Sequence, residues 1–214
     1  MPIITLKKDP LSSLAKRTAK RIFDLIFSAF VTVFVLFPIF IVVGFLIKIG
    51  SPGPIIFTQE RAGRKNKRFR CYKFRTMYTP KNNSEATFKQ ATKADPRVTK
   101  IGAFLRKTSL DELPQFFNVL LGNMSVVGPR PHPIPLDGMF APKIHKYQYR
   151  YFIKPGITGP AQINGFRGET KTPYEMEKRV EYDTWYIENW SLFLDIKLIF
   201  ATVFNVFKGE ENAY

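Results

Sequence analysis

Residues 25–47 carry no charged side chain and are rich in Phe, Val and Ile. No other segment limits so strongly what the chain can fold into. At ~1.5 Å per residue a continuous helix of that length would cover the ~30 Å of hydrocarbon in a bilayer, so a transmembrane helix is the plain reading. Two features argue against it. Pro38 falls near the middle, where it deletes a backbone hydrogen bond and favours a kink. Positive charge also flanks both ends: Lys16, Arg17, Lys20 and Arg21 precede the run, and Lys48, Arg61, Arg64, Lys65, Lys67, Arg68 and Arg70 follow it. Positive flanks prefer the cytoplasmic side, so a helix that breaks at Pro38 and leaves by the face it entered relieves the conflict of a single span. The re-entrant hairpin is therefore favoured over a span. A cleaved signal peptide ranks below both, because the run is too long and no Ala-x-Ala type site follows. Asp24, one turn inside the apolar boundary, is expected to pair with Lys20 or Arg21 at helical spacing, or to stay solvated at the interface.

The rest of the chain is basic. A balance of 33 Lys+Arg against 17 Asp+Glu gives +16, which points to an anionic partner: nucleic acid, acidic lipid headgroups or phosphorylated metabolites. The single cysteine, Cys71, excludes an internal disulfide and a Cys-based zinc site, and two histidines, His132 and His145, argue against a multi-histidine metal site. The run from Arg61 to Arg75 contains no acid. Beside a membrane hairpin it is read as a contact with anionic headgroups. Its interleaved Phe69, Tyr72 and Phe74 would also suit single-stranded nucleic acid, a reading disfavoured because such a protein has little use for the hairpin.

After the turn Ser51-Pro-Gly-Pro54, short strands are predicted over 54–59 and 69–77 with a turn at 63–67 between them. Residues 78–94 read as a polar surface loop or short helix. Helices are expected over 100–107, 111–121, 175–189 and 191–208, with the proline-rich segment 128–135 irregular and 155–168 a Gly-containing loop with short strands. The last of these helices is apolar almost all round. It suits a core helix or, with Trp185, Tyr186 and Trp190 just ahead of it, one lying at headgroup level. A length of 214 residues fits one domain. The expected fold is α/β, an α-rich α+β body with a small β hairpin or sheet and amphipathic interfacial helices behind a re-entrant helix-break-helix. Its divisions are an extension at 1–15, the membrane helix at 16–50, a catalytic body at 51–208 forming one domain with 16–50, and a tail at 209–214.

Asp111 and Glu112 put two adjacent carboxylates into this basic chain. Cations around such a pair can hold an anionic substrate, and the carboxylates can hold a divalent metal or supply a nucleophile or base, a combination suited to phosphate chemistry. Ser109-x-x-Glu112 equally matches a helix capping box, which would make both acids first-turn residues and nothing more. Pro114 weakens that reading, and spacing alone leaves the two open. In Gly128-Pro-Arg-Pro131 a stiff backbone fixes an arginine, useful for clamping a phosphate, with a structural turn as the alternative.

Lys20-Arg-Ile-Phe-Asp24, Lys73-Phe-Arg-Thr-Met77, Ser109-Leu-Asp-Glu-Leu-Pro-Gln115, Gly128-Pro-Arg-Pro131 and Pro155-Gly-Ile-Thr-Gly159 occur in the order and spacing of the bacterial sugar transferases, the monotopic polyprenyl-phosphate phosphoglycosyl transferases, which the chain closely resembles from about Lys16 onward. The resemblance implies transfer of a sugar 1-phosphate from a UDP-sugar to polyprenyl (undecaprenyl) phosphate at the cytoplasmic face of the bacterial inner membrane, with Mg²⁺ as cofactor and release of UMP. It makes Asp111 the nucleophile, with Glu112 as metal support or base and either or both acids near the metal. It places Arg130, Arg106, Lys73, Arg75, Thr76, Gln162 and Asn164 on the substrates and Asp24, Pro38 and Trp190 at the membrane. Small members often have Ser-Pro where this chain has Phe37-Pro38, so the break is kept while its hydrogen bonding differs. No counterpart of the extra domains of larger members is seen, so a minimal catalytic form or a truncation is expected. The segment from Gln162 to Thr170 and the ending Asn212-Ala-Tyr214 look like members that load glucose or galactose, which favours UDP-glucose and leaves N-acetylated sugars open. Membrane lipid is an expected partner, nucleic acid is not, and a homodimer is left open. The competing readings are a polybasic membrane-anchored adaptor without enzymatic activity, which assigns no task to Asp111, Glu112 or the Arg130 turn, and a single-spanning transferase facing outside.

Overall fold

The structure, a computed structural model, describes residues 9–79, 90–92, 95–170 and 172–208. Most of the expected polar loop over 78–94 and the tail at 209–214 lie outside these residues.

One helix runs from Leu14–Gly50 without interruption. It consists of α1 (Leu14–Val31), a wide π turn (Thr32–Leu36) and α2 (Phe37–Gly50). The expected break at Pro38 is thus corrected to a change of register inside a continuous helix. The Phe37 N–H reaches back to the Thr32 carbonyl, and widening the turn moves aside the carbonyls that the proline ring would otherwise strike. Both halves present a stripe to the body. In α1 it is Lys20, Asp24, Ser28 and Val31, set against the later segments Gln115–Leu120 and Ser125–Val127; in the wide turn and α2 it is Leu36, Val43 and Ile47, packed with Phe74 and Leu105. The opposite face is apolar and open, with Ile26, Phe30, Phe34, Phe37, Ile41, Phe45 and Ile49 exposed.

Strands β1 (Ile56–Ala62) and β2 (Arg68–Phe74) form the expected antiparallel hairpin, with Ile56 opposite Phe74 and Ala62 opposite Arg68. Helix α3 spans Lys100–Lys107 as predicted, capped by Thr99, whose side chain accepts from the Gly102 N–H. The helix expected over 111–121 is divided. A 3-10 turn covers Leu110–Glu112 and α4 covers Gln115–Leu120, with Pro114 as N-cap, since a proline is tolerated at the start of a helix and not inside it. Strand β3 (Ser125–Val127) pairs in parallel with β4 (Gly156–Thr158). Between them lie α5 (Ile134–Phe140), which the sequence reading did not anticipate, and a 3-10 turn (Tyr147–Tyr151). Helix α6 (Pro160–Ile163) leads to α7 (Pro173–Asn189) and α8 (Leu192–Lys208). A true capping box does exist, at the start of α7, where Thr172 and Glu175 bond reciprocally.

Lys20, Arg21 and Asp24 of α1 bond to the body. Asp24 does not pair with Lys20 or Arg21; its Oδ1 accepts from the Ser125 hydroxyl and the Val126 N–H, both at 3.0 Å. Lys20 instead donates to Asp195 of α8 at 2.7 Å, and Arg21 donates to the carbonyls of Val119 (2.6 Å) and Leu120 (3.0 Å) at the end of α4. Those carbonyls end the helix, where Val119 accepts a short turn bond from the Gly122 N–H, and the arginine supplies further donors to them. Trp190 is also corrected. It is buried, with its indole N–H donating to Asp195 at 3.1 Å, so it faces the core and not lipid headgroups. Asp195, completely buried, also accepts from the Tyr186 hydroxyl at 2.6 Å. A buried charge needs several partners, and these three supply them.

Candidate active site

Ser109 decides between the cap and the catalytic pair. It sits in the left-handed region (φ 59°), its side chain makes no capping bond, and its hydroxyl is buried without a partner. The Glu112 carboxylate does not return to the Ser109 backbone. Its Oε1 accepts from Lys73 Nζ at 2.7 Å and from Arg130 Nη2 at 2.5 Å, and its Oε2 from Arg130 Nη1 at 3.1 Å. Arg167 stands 4.0 Å from the same Oε2. Asp111, its neighbour, is buried and reaches one of these cations, Lys73, only at 3.9 Å.

The adjacent acids therefore differ electrostatically. Burial raises the Asp111 carboxyl above the ordinary aspartate value of 3.8, with Lys73 opposing the rise. Burial also works against ionising Glu112, but Arg130 and Lys73 outweigh it and hold that carboxyl well below the usual range. Glu112 is a fixed anion that positions two cations. Asp111 is a carboxylate set among them with weaker engagement.

The Arg130 turn is braced on every side. The Gly128 N–H donates to the Thr158 carbonyl and the Gly156 N–H to the Pro129 carbonyl, both at 2.9 Å. The two glycines cross so closely that a Cβ on Gly128 would stand 2.6 Å from the Lys154 carbonyl oxygen. Arg61 donates to the Pro131 carbonyl at 2.8 Å. Arg150 donates to the Arg130 carbonyl at 2.7 Å and to Asp183 at 3.0 Å, and it also contacts His132. Sequence reasoning missed Arg150 and Asp183, which carry no local motif, and counted Arg61 only within a basic run.

Other expected site residues divide between the acids and the scaffold. Arg106 donates to the Thr76 hydroxyl at 2.9 Å and feels the charge of Asp111, so these two belong to the site's edge. Arg75 is turned elsewhere. Its guanidinium serves the carbonyls of Pro52 and Ser51, where α2 ends, and the Thr79 hydroxyl. Gln162 donates to the Ile157 carbonyl at 3.3 Å and Asn164 to the Pro160 carbonyl at 2.8 Å, each stabilising its own segment. The side-chain oxygen of Gln162 is buried without a partner.

Among the described residues no three His, Cys, Asp or Glu side chains cluster as a metal cage. Mg²⁺ commonly binds through one or two carboxylates with substrate phosphates and water completing its shell. With both Glu112 oxygens bonded to cations, Asp111 is the carboxylate that fits such an ion.

Over residues 15–209 the chain matches the bacterial sugar transferase family. It belongs to that family. A UDP-glucose:undecaprenyl-phosphate glucose-1-phosphate transferase of Klebsiella pneumoniae is 49% identical over 97% of this chain and 44% of its own length. The protein of the same name from Escherichia coli K12 is 48% identical over the same shares. The exopolysaccharide production protein PSS of Rhizobium leguminosarum is 44% identical over 86% of this chain and 92% of its own length. The chain thus spans less than half the length of the first two relatives and nearly all of the third. The Lys73–Glu112–Arg130 cluster and the Asp111 beside it lie inside the matched segment.

Proposed function

We propose that this sugar transferase passes a sugar 1-phosphate from a UDP-sugar to polyprenyl phosphate, with undecaprenyl phosphate as the acceptor and UDP-glucose as the favoured donor. The asymmetry of the acid pair carries the reading: Glu112 is bonded on both oxygens by Lys73 and Arg130, whereas Asp111 is left with a longer contact. A carboxylate among fixed cations can attack an anionic phosphorus that those cations have drawn in and neutralised.

In this scheme an Asp111 oxygen attacks the β-phosphorus of the donor. The bond from that phosphorus to the bridging oxygen breaks, and UMP leaves with the oxygen. Arg130, Lys73 and Arg106 hold the phosphate charge during the transfer. A phosphate oxygen of the acceptor then attacks the aspartyl phosphosugar and restores the carboxylate, giving a polyprenyl diphosphate sugar. Asp111 is the residue that would hold Mg²⁺, which when bound would supply positive charge to offset that on the leaving group. Glu112 acts as the anchor of the cation set, and neither metal nor proton is assigned to it.

The same reading puts the body on the cytoplasmic face of the inner membrane, with the long helix bending at its wide π turn beside Pro38 so that both ends stay on one side. Support comes from the packing. Both halves of the helix lie on the body through their buried stripes while one apolar face stays open. A perpendicular span would carry one half away from the body. The names of the relatives support the donor and acceptor. Replacing Asp111→Asn in detergent-solubilised protein with Mg²⁺ and a UDP-sugar panel should lower UMP release by roughly a thousandfold or more; release at the wild-type rate would remove Asp111 from the chemistry.

A further inference from the structure

We propose that a cleft between α7 and α8 seats the isoprenoid chain of the acceptor, an inference that rests on the polyprenyl phosphate reading above. Helices α7 and α8 face each other across a gap of about 680 Å³, inside the roughly 300–1,000 Å³ of small-molecule sites. Tyr182 and Trp185 line it from α7, Leu194, Leu198 and Ala201 from α8, and Phe166 from the segment after α6. These positions recur at helical spacing on both helices. The two stripes confront each other without closing.

Three observations specify the occupant. The first is adjacency to the open apolar surface: α8 exposes Phe193, Phe200, Phe204 and Phe207 on the face beside the cleft, with Lys197 at the border between the two, so a chain lying against that helix reaches the cleft past one side chain whose alkyl stem is itself apolar. The second is the course of the chain. Phe166 is followed by Arg167, whose guanidinium reaches to 4.0 Å from Glu112, so the segment that lines the cleft runs on into a residue that faces the acid pair. The third is charge. Lys197 lines the cleft together with Lys178 and its partner Glu181 at 2.7 Å, and this set carries a net positive charge. An amphiphile with an apolar chain and an anionic head fits all three, its head lying toward Arg167 and Asp111.

Ping-pong order gives a test that separates this inference from the reading beneath it. Donor supplied without acceptor reports the first half-reaction alone, as UMP released in proportion to enzyme. Filling the cleft with Ala201→Trp should raise the KM for undecaprenyl phosphate about tenfold or more while that first release persists. An unchanged acceptor KM in the folded variant overturns the cleft assignment. A wild-type protein that releases no UMP overturns the proposed function instead. A photoreactive polyprenyl phosphate carrying its diazirine in the first isoprene units, used on the wild-type protein, gives a readout independent of that variant. Its label should map to α7 and α8 peptides and be competed by undecaprenyl phosphate but not by phosphatidylglycerol. Labelling confined to other segments, or equal competition by the phospholipid, contradicts the proposal.

Discussion

Asp111 and Glu112 are adjacent in sequence and unlike in circumstance. Glu112 collects Lys73 and Arg130 and is held ionised, so the acid side of the activity profile belongs to Asp111. Because burial raises the Asp111 carboxyl above 3.8, UMP release should fall, as pH drops, at a pH above the ordinary aspartate range. Lys73 lowers that carboxyl's pKa, so Lys73→Met should move the acid limb to still higher pH, whereas an unmoved limb would place the titrating group elsewhere. At this scale the sequence was legible where chemistry is unusual: two acids in a basic chain stand out, and so does an arginine between prolines. Local spacing misled where a partner lies far along the chain. Lys20 and Asp24 sit one helical turn apart, yet Lys20 finds Asp195 and Asp24 finds Ser125, because the fold offers each a buried partner in place of a solvated neighbour. Glu112 likewise looked like a cap until Lys73 and Arg130, distant in sequence, claimed its oxygens.

The long helix is an anchor and also a strut. Its two halves are legible in the apolar pattern, and α3, α7 and α8 follow their predicted extents because their polar and apolar residues recur at helical period. Pro38 was legible as a disturbance but not as its outcome, since whether a helix breaks or widens by a residue depends on packing along both halves. Asp24 connects the strut to β3, which runs directly into the Arg130 turn. Asp24→Ala should therefore lower stability in detergent by about 1–3 kcal/mol, by stranding the buried Val126 N–H, while the Ser125 hydroxyl keeps the Val127 carbonyl as acceptor. Asp24→Asn keeps an acceptor and should cost less; equal losses would show that the bond to β3 is not what matters. Topology has its own check. Cysteines introduced at the exposed positions Ser12 and Asn66, with native Cys71 buried, should react from the same side of the membrane. Labelling from opposite sides would make the helix a true span.

Across the whole molecule, a +16 charge is deployed in two ways. Exposed Lys65, Lys67, Arg68 and Arg70 of the hairpin favour an anionic surface, while Lys73, Arg130, Arg150 and Arg61 turn inward to build and brace a phosphate site. Net charge announced an anionic partner but could not divide the cations between these roles, because Arg61 and Arg70 look alike in a basic run until β1 and β2 pair. The adaptor reading explains the outer cations only. It leaves the buried Glu112 with its inward-facing arginine and lysine, and Asp111 beside them, without a task. The central claim is that Asp111 carries the sugar phosphate between donor and acceptor. Intact-mass and peptide analysis of the protein after brief exposure to UDP-glucose and Mg²⁺ without acceptor tests it most directly. The account predicts a hexose phosphate adduct on the peptide containing Asp111, formed with one equivalent of UMP and discharged when polyprenyl phosphate is added; UMP formed only when donor and acceptor are both present, with no adduct at any time, would contradict it.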